Sequence, residues 1–330
     1  MNIDLSIILP VYNVEMYIHS CIECIFKQGL DENRFEVIIV NDGTKDNSIN
    51  VISDIIKQHS NITIINQENQ GISIARNNGL ALARGEYVIM LDSDDMLFDN
   101  SLKPLLDIAI NSKVDLVVAD YIQMSNEEIA QTKDFTSMQK SLPIEYQETT
   151  GQDLYNNYLD FNNCAIWHIL FRREFLISNK IAFLPQTWFE DLLYTPECYL
   201  KANKCIKTSW FLNIYRRRSD SISLGEFNKK KAESLCILIN QNWKLKELFN
   251  NIKQYVKLKQ YLSQLIKIQL YSISHSTLSF KERVILLSSI KQEIKNTHSL
   301  KMNKQLLQNF LIRTMPVFYT YIRHYIGKTW

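Results

Sequence analysis

"GISIARNNGLALARGEYVIMLDSDDML" (Gly71–Leu97) decides how the chain is read. Gly71 to Ala83 carries a helical pattern, and "YVIML" (Tyr87–Leu91) is an apolar run of the length expected for a buried strand. Straight after it stand Asp92, Asp94 and Asp95, three carboxylates within four residues. They repel one another, and water is a poor remedy so close to a buried strand. Helix, strand and polar loop in that order form the unit of an α/β domain, whose ligands gather beyond the carboxyl ends of the strands.

The same alternation extends in both directions. "LSIIL" (Leu5–Leu9), "FEVIIV" (Phe35–Val40), "ITIIN" (Ile62–Asn66) and "DLVVAD" (Asp115–Asp120) are further strand runs. Helical spacing fills Val14–Gln28, Asp46–His59 and Leu102–Ile110 between them. A mostly parallel sheet with right-handed crossovers follows. Polar signals end three strands: "PVYN", "NDGT" and "DSDD". No G-x-G-x-x-G and no P-loop follows any strand, so a nucleotide would be held by another device. Residues 121–150 are polar and weakly periodic and read as a surface excursion. Between 151 and 225 a helix is expected at "CAIWHILFRREFL" (Cys164–Leu176) and a strand at "FLNIYRRR" (Phe211–Arg218). Residues 226–330 read as helical, with no internal repeat.

At 330 residues, 46% hydrophobic and 22% charged, the chain has the composition of a soluble globular protein with a sizeable core. The net charge of +2 conceals a split. Residues 226–330 carry about 18 Lys and Arg against about 5 Asp and Glu, whereas 1–225 is acidic by roughly 11 charges. An anionic surface such as lipid headgroups is the partner expected for the basic part, rather than nucleic acid. The six cysteines are scattered, and Cys21 and Cys24 lie on a helical pattern with no second close pair, which favours packed thiols over zinc. With no signal peptide and no long apolar stretch in view, a cytoplasmic location is expected.

Alternate aspartates in a tight turn can share a cation, and an all-oxygen set suits Mg²⁺ or Mn²⁺ carrying substrate phosphates. A solvated acidic loop capping the helix from 101 to 112 is an equal reading of "DSDD" taken alone. "FED" (Phe189–Asp191), beside Trp188 and Leu192, is a second acidic site where partial burial could tune a carboxylate into a base. In "YRRRSDSIS" (Tyr215–Ser223), strand alternation puts Arg216 and Arg218 on one face and Arg217 on the other.

Five segments in order, "SIILPVYNVEMYI", "EVIIVNDGTKDNS", "NQGISIARNNGLALARGEYVIMLDSDDML", "WFEDLLY" and "YRRRSDSIS", resemble glycosyltransferase family 2. The resemblance is dense over 5–100, sparser to about 225, and lapses beyond. It implies a GT-A fold: an α/β catalytic domain over 1–225 (nucleotide half 1–100, acceptor half 101–225), then a basic helical region over 226–330. It implies an inverting, metal-dependent transfer of a sugar from a nucleotide diphosphate donor, UDP first, to a glycan or lipid-linked glycan. By position, Tyr12 stacks on the nucleobase, with Pro10 and Val11 shaping the same wall. Asp42 accepts the N3–H of uracil, Arg76 reaches the nucleotide end, and Asp92 and Ser93 line the donor side. Asp94 ligates Mn²⁺ or Mg²⁺ with Asp92, and Asp95 supports that shell or caps the next helix. Asp191 is the base and Glu190 its neighbour at the acceptor; Arg216, Arg218 and Ser221 close over the diphosphate.

Departures from the family pattern are Asn41, where a second Asp is common, and Ile169, where a Lys is common after Trp167. His168 has no partner histidine at metal spacing and reads as polar packing. The basic region is expected to touch an anionic inner membrane or to pack on the body. Rival functions are an inactive nucleotide-sugar or glycan-binding module, and a nucleotidyltransferase; the latter would want a basic Gly-rich loop after the first strand, which "PVYNVE" lacks.

Overall fold

The computed structural model describes residues 3–132, 134–139, 143–218, 227–274, 276, 278–279, 281–283 and 285–286. Elements follow in chain order: β1 Leu5–Val11, α1 Ile18–Ile25, β2 Phe35–Asn41, α2 Ser53–Gln58, β3 Ile62–Asn66, α3 Ile72–Leu82, β4 Tyr87–Met90, β5 Met96–Leu97, α4 Leu102–Ser112, β6 Leu116–Ser125 and α5 Asn126–Gln131. Then come β7 Tyr146–Thr149, α6 Gly151–Asp153, β8 Ile169–Arg172, α7 Arg173–Ser178, α8 Asp191–Lys201, β9 Cys205–Arg217, α9 Lys229–Lys244 and α10 Ile252–Ser274.

The expected α/β architecture is present, with helices following the sheet. One sheet runs β3-β2-β1-β4-β8-β6-β9-β5, with β7 beside β9. The β3-β2-β1-β4 half is wholly parallel, and the long β6–β9 ladder is parallel too. β8 runs antiparallel to both β4 and β6, joining the halves. Every residue of β1 is buried, because helices cover both faces of a parallel strand. Pro10 is tolerated within it for a positional reason. Ile8 O accepts Leu91 N at 3.0 Å, so alternate residues of β1 aim their amides toward β4. β4 ends at Met90, and the donor that Pro10 lacks falls beyond its ladder. Gly85 lies against Ser6, where a Cβ would come within 2.4 Å of the Ser6 nitrogen, so only glycine lets the chain enter β4 here.

Three expectations from the sequence are corrected. "CAIWHILFRREFL" is not one helix: β8 occupies Ile169–Arg172 and α7 starts at Arg173. Arg172 pairs through its guanidinium with Asp115 and through its amide with the Asp115 carbonyl, which fixes β8 as a strand beside β6. Residues 121–150 are more than an excursion. β6 continues to Ser125 and α5 follows with a capping box between Ser125 and Glu128; β7 then pairs with β9. The helix expected over 46–59 is reduced to a 3₁₀ turn at Asn50–Ile52 and α2.

The chain divides into two compact units. One comprises Met1–Tyr158, Asn162–Gln186 and Glu190–Leu224; the other comprises Leu159–Phe161, Thr187–Phe189 and Gly225–Trp330. Within the second, α9 starts at the cap Asn228, whose side chain accepts Lys231 N at 3.0 Å. Its Leu235, Leu238 and Ile239 are buried, as are Leu258, Leu262, Leu265 and Ile266 of α10. Among the described residues no helix is long and apolar enough to cross a membrane.

Candidate active site

The carboxyl ends of β1 and β2 are laced together by short polar side chains. Asn13 N donates to Thr44 Oγ1 (2.8 Å), Val14 N to Ser48 Oγ (2.9 Å) and Glu15 N to Asp46 Oδ2 (2.9 Å). In return Lys45 N donates to Asn13 Oδ1 (3.1 Å) and Asn47 N to Glu15 Oε2 (2.8 Å). Burial alone would raise the Asp46 carboxyl, but the Ser48 and Thr44 hydroxyls and the Glu15 and Ser48 amides outweigh it and hold it at about 2. Gly43 takes φ 67°, and a Cβ there would meet Asn69 N at 3.0 Å.

Asp42 is buried and holds the entry to α3. Its Oδ1 accepts Gln67 Nε2 (2.7 Å) and Gln70 N (2.8 Å), and its Oδ2 accepts Gly71 N (2.9 Å). A carboxylate has about four acceptor positions, so these three bonds leave room for one more donor. Pro10 and Val11 are buried at the end of β1 beside it, Asp42 N donating to Val11 O, whereas Tyr12 is 40% exposed.

Beyond β4 the chain turns at once, with Asp95 N donating to Asp92 O at 3.0 Å. The turn gathers Asp92, Asp94 and Asp95 so that one oxygen from each lies within 4.8 Å of the others. Burial raises the carboxyls of Asp94 and Asp95, and the neighbouring carboxylates raise them further. Asp95 accepts Arg216 N on Oδ1 at 2.9 Å, while its buried Oδ2 has no partner among the described residues. An all-oxygen donor set, mutually repelling and with one buried oxygen left over, fits a hard divalent cation. Ser93 is buried within the same turn.

Arg76, on α3, joins this turn to the second acidic pair. It is 2% exposed; its Nη2 pairs with Asp92 Oδ1 at 2.5 Å and its Nη1 with Glu190. Its guanidinium carbon lies 5.3 Å from the centroid of Phe183, which stacks on Tyr194 at 3.9 Å. Glu190 and Asp191 open α8, and Phe189, preceding them in the chain, takes a left-handed φ of 63°, a conformation costly for a bulky side chain. Burial pushes the Asp191 carboxyl up to about 7 and Glu190 adds to the push; Arg76 draws it back only in part.

The remaining arginines reach the turn from the end of β9: Arg216 lies on the strand, and Arg218 just past its last residue, Arg217, so the strand expected through Arg218 stops one residue short. Arg216 Nε donates to Asp94 O (2.9 Å), and Arg218 Nη2 pairs with Asp94 Oδ2 (2.6 Å). Arg217, on the other face, pairs with exposed Glu128 (3.1 Å). Ser221 lies outside the described residues. Trp167 stacks on Tyr215 at 5.6 Å, and His168 is fully buried with its imidazole held neutral, far below its ordinary range at about 3. Cys24 donates to Cys21 O (2.9 Å) and accepts Leu97 N (3.0 Å), so its buried thiol is held in backbone contacts.

The turn thus unites Asp92, Asp94 and Asp95 with Arg76, Arg216 and Arg218, and Arg76 adds Glu190. Sequence reasoning missed the lacing of Asn13, Thr44, Asp46 and Ser48. Its one legible signal was the density of short polar residues in two strand-end loops.

Residues 6–176 match the family described as Glycosyl transferase family 2. The chain belongs to that family. The glycosyltransferase EpsJ of Bacillus subtilis, described as uncharacterized, is 30% identical over 219 residues, covering 66% of this chain and 62% of EpsJ. The glycosyltransferase GlyG of Streptococcus pneumoniae is 28% identical, covering 70% of this chain and 76% of GlyG. This family-2 chain therefore spans less than two thirds of EpsJ. Among solved structures, S. aureus TarS 1-349 in complex with UDP-GlcNAc superposes with a TM-score of 0.73 at 20% identity, over 98% of this chain and 92% of that one. A mannosyltransferase from Pyrobaculum calidifontis, PcManGT, in complex with GDP-Man and Mn2+, gives 0.52 at 13% identity, over 99% and 88%. Both likenesses are of fold.

Proposed function

We propose that the chain is an inverting glycosyltransferase that moves a sugar from a nucleoside diphosphate donor, UDP first, onto a hydroxyl of a lipid-linked or growing surface glycan. The observation that carries this reading is the double ion pair of Arg76, which ties the Asp92–Asp95 turn to Glu190 beside a carboxylate poised at about 7. The UDP-GlcNAc complex of TarS supports the choice of donor.

Asp94 and Asp95, with Asp92, would hold Mn²⁺ or Mg²⁺. What such a cation supplies when bound is neutralisation of charge on the departing diphosphate. Tyr12 stacks on the base, with Pro10 and Val11 shaping the same wall, and the open acceptor position on Asp42 takes a uracil N–H. Ser93 lines the donor side. Asp191 removes the acceptor's hydroxyl proton as that oxygen bonds to the anomeric carbon. The bond from that carbon to the diphosphate breaks and the electron pair leaves with the nucleotide, so the anomeric configuration inverts. Arg76 and Glu190 position Asp191.

We read 1–225 as the catalytic part and 226–330 as a basic appendage contacting anionic headgroups. The appendage reading is supported by its excess of about 13 positive charges. Co-sedimentation of the full chain with anionic but not neutral vesicles tests it, and equal partitioning would refute it. The donor reading is tested by calorimetric titration of UDP, GDP and dTDP with Mn²⁺ or with EDTA, for wild type and Asp94→Ala. Cation-dependent UDP binding lost in the variant is expected. Equal binding in EDTA would remove the cation, and no nucleotide binding would favour a glycan-binding module.

A further inference from the structure

The two oxygens of Asp42 are unequally occupied. Oδ1 accepts both Gln67 Nε2 (2.7 Å) and Gln70 N (2.8 Å), whereas Oδ2 accepts Gly71 N alone (2.9 Å). A carboxylate oxygen has about two acceptor positions. Among the described residues Oδ1 is therefore full, and Oδ2 has one position left. The amides of Gln70 and Gly71 come with the backbone that opens α3, and they tie Asp42 to that helix by themselves. Gln67 adds no further anchor; what it adds is the filling of Oδ1.

The Gln67 side chain is held at both ends. Its backbone amide donates to Asn41 O (3.0 Å), fixing it where β2 and β3 finish. A carboxylate only accepts, so the Gln67 atom facing Asp42 is the amide nitrogen. Oε1 is left on the other side, where it accepts Asn78 Nδ2 from α3 at 2.7 Å. Asn78, Gln67 and Asp42 thus form a directed relay in which each amide can point only one way.

Nucleobases differ in how many donors they bring to such a carboxylate. Uracil presents one ring N–H between two carbonyls. Guanine presents a ring N–H and an amino group side by side, a fork that suits a carboxylate with both oxygens open. We infer that Gln67, oriented by Asn78, is a specificity-determining residue: by filling Oδ1 it leaves Asp42 able to take a base with a single N–H and unable to take the fork of guanine. The inference rests on the proposed donor reading and adds the residue that narrows the choice of base. Guanine in this place would bury one donor without an acceptor, and an unpaired polar group discriminates more sharply than shape. Gln67 acts through Asp42 and needs no contact of its own with the nucleotide.

The test uses the full chain at saturating Mn²⁺, as wild type, Gln67→Met and Asn78→Ala. UDP, GDP and inosine diphosphate are titrated calorimetrically; the last is a purine with the ring N–H of guanine and no amino group. Wild type is expected to prefer UDP. Gln67→Met keeps the length of the side chain and removes its donor. It is expected to tighten GDP by about tenfold, the low end for one hydrogen bond to a charged group, because water competes for the freed position. UDP and inosine diphosphate should stay within about threefold of wild type, since each needs Oδ2 alone. Asn78→Ala frees the Gln67 amide to turn and should move the ratio of GDP to UDP affinity the same way by about threefold; it also serves if the methionine variant fails to fold. A link that is merely structural would weaken all nucleotides together and leave that ratio unchanged, which would overturn the inference. Equal tightening of GDP and inosine diphosphate would overturn it too, by showing that space and not donor count was the barrier, as would a wild type that binds GDP as tightly as UDP. Failure of the donor reading looks different: no protein binds any of the nucleotides, and the role of Gln67 falls with it.

Discussion

Arg76→Met is the substitution with the sharpest consequence, because it removes charge while keeping most of the side-chain volume. The Arg76 side chain is 3% exposed and its partners Glu190 and Asp92 are 9% and 25% exposed. Removing one partner of a buried pair costs about 3–5 kcal/mol, since the remaining charge stays unpaired out of water. Two pairs break here, but solvent reaches Asp92 and offsets part of the second. A loss of about 3–5 kcal/mol in all is therefore expected, rather than twice that. Urea unfolding followed by hydrogen exchange at α3 and α8 measures it within their own unit, since a chain of two units need not unfold in one step. Adding Glu190→Gln should recover a large part of the loss by removing the stranded charge, giving a strong coupling in the double-mutant cycle. A cost below about 1 kcal/mol, or a double variant no more stable than the single, would refute the bridge as described. The same variant also moves chemistry. Arg76 holds the Asp191 carboxyl down, so its loss shifts the acid limb of kcat/KM upward from about 7.

On the proposed mechanism, Asp191→Asn should abolish transfer with UDP binding retained, and wild-type kcat/KM should fall about tenfold per pH unit below about 7, where the proposed base is protonated. Because that folded value exceeds the unfolded carboxylate range near 4, the folded state binds more protons between the two, and this group's contribution to stability falls as pH rises through that window. Urea titrations should therefore find Asp191→Asn more stable than wild type at pH 8 and similar at pH 4; equal differences at both would refute the shift. Asp46 has the opposite sign: its folded value of about 2 gives stability above pH 4 that is lost as pH falls toward 2. Asp46→Asn should cost about 1–2 kcal/mol at pH 7 and nothing near pH 2, by thermal unfolding across pH. Gly43→Ala must adopt a positive φ against Asn69 and should weaken UDP binding together with local stability, seen as faster hydrogen exchange in residues 43–48.

The parallel half of the sheet was legible because strands buried on both faces are continuous apolar runs, and β1, β2 and β4 have little freedom to be anything else. The error at "CAIWHILFRREFL" has the same origin. A dense apolar run satisfies both periods, and what makes Ile169–Arg172 a strand is Asp115, 57 residues before Arg172. In the extension of β6, "YIQMS", Gln123 is exposed, Met124 is buried and the rest are half-buried beside β9, past register shifts that local pattern does not reveal. Asp92, Asp94 and Asp95 stood out because they are neighbours in sequence. The engagement of Arg76 did not, since its two partners lie 16 and 114 residues away.

Those separations explain how so much negative charge is tolerated at one strand end. Asp92, Asp94, Asp95 and Glu190 each meet an arginine residue: Arg76 spans Asp92 and Glu190, Arg216 lends its backbone amide to Asp95, and Arg218 takes Asp94. Compensation is uneven in a telling way. Among the described residues Asp95 keeps one buried oxygen without a partner, and Asp191 is pushed up more by burial and Glu190 than Arg76 pulls it down. A sequence selected for stability alone would neutralise both, for instance with asparagine at either position. The unrelieved positions coincide with the two where the proposed reaction needs an available carboxylate: one oxygen for a cation and one base for a hydroxyl proton. Stabilisation by Asp191→Asn with loss of transfer would show that the repulsion is retained for chemistry.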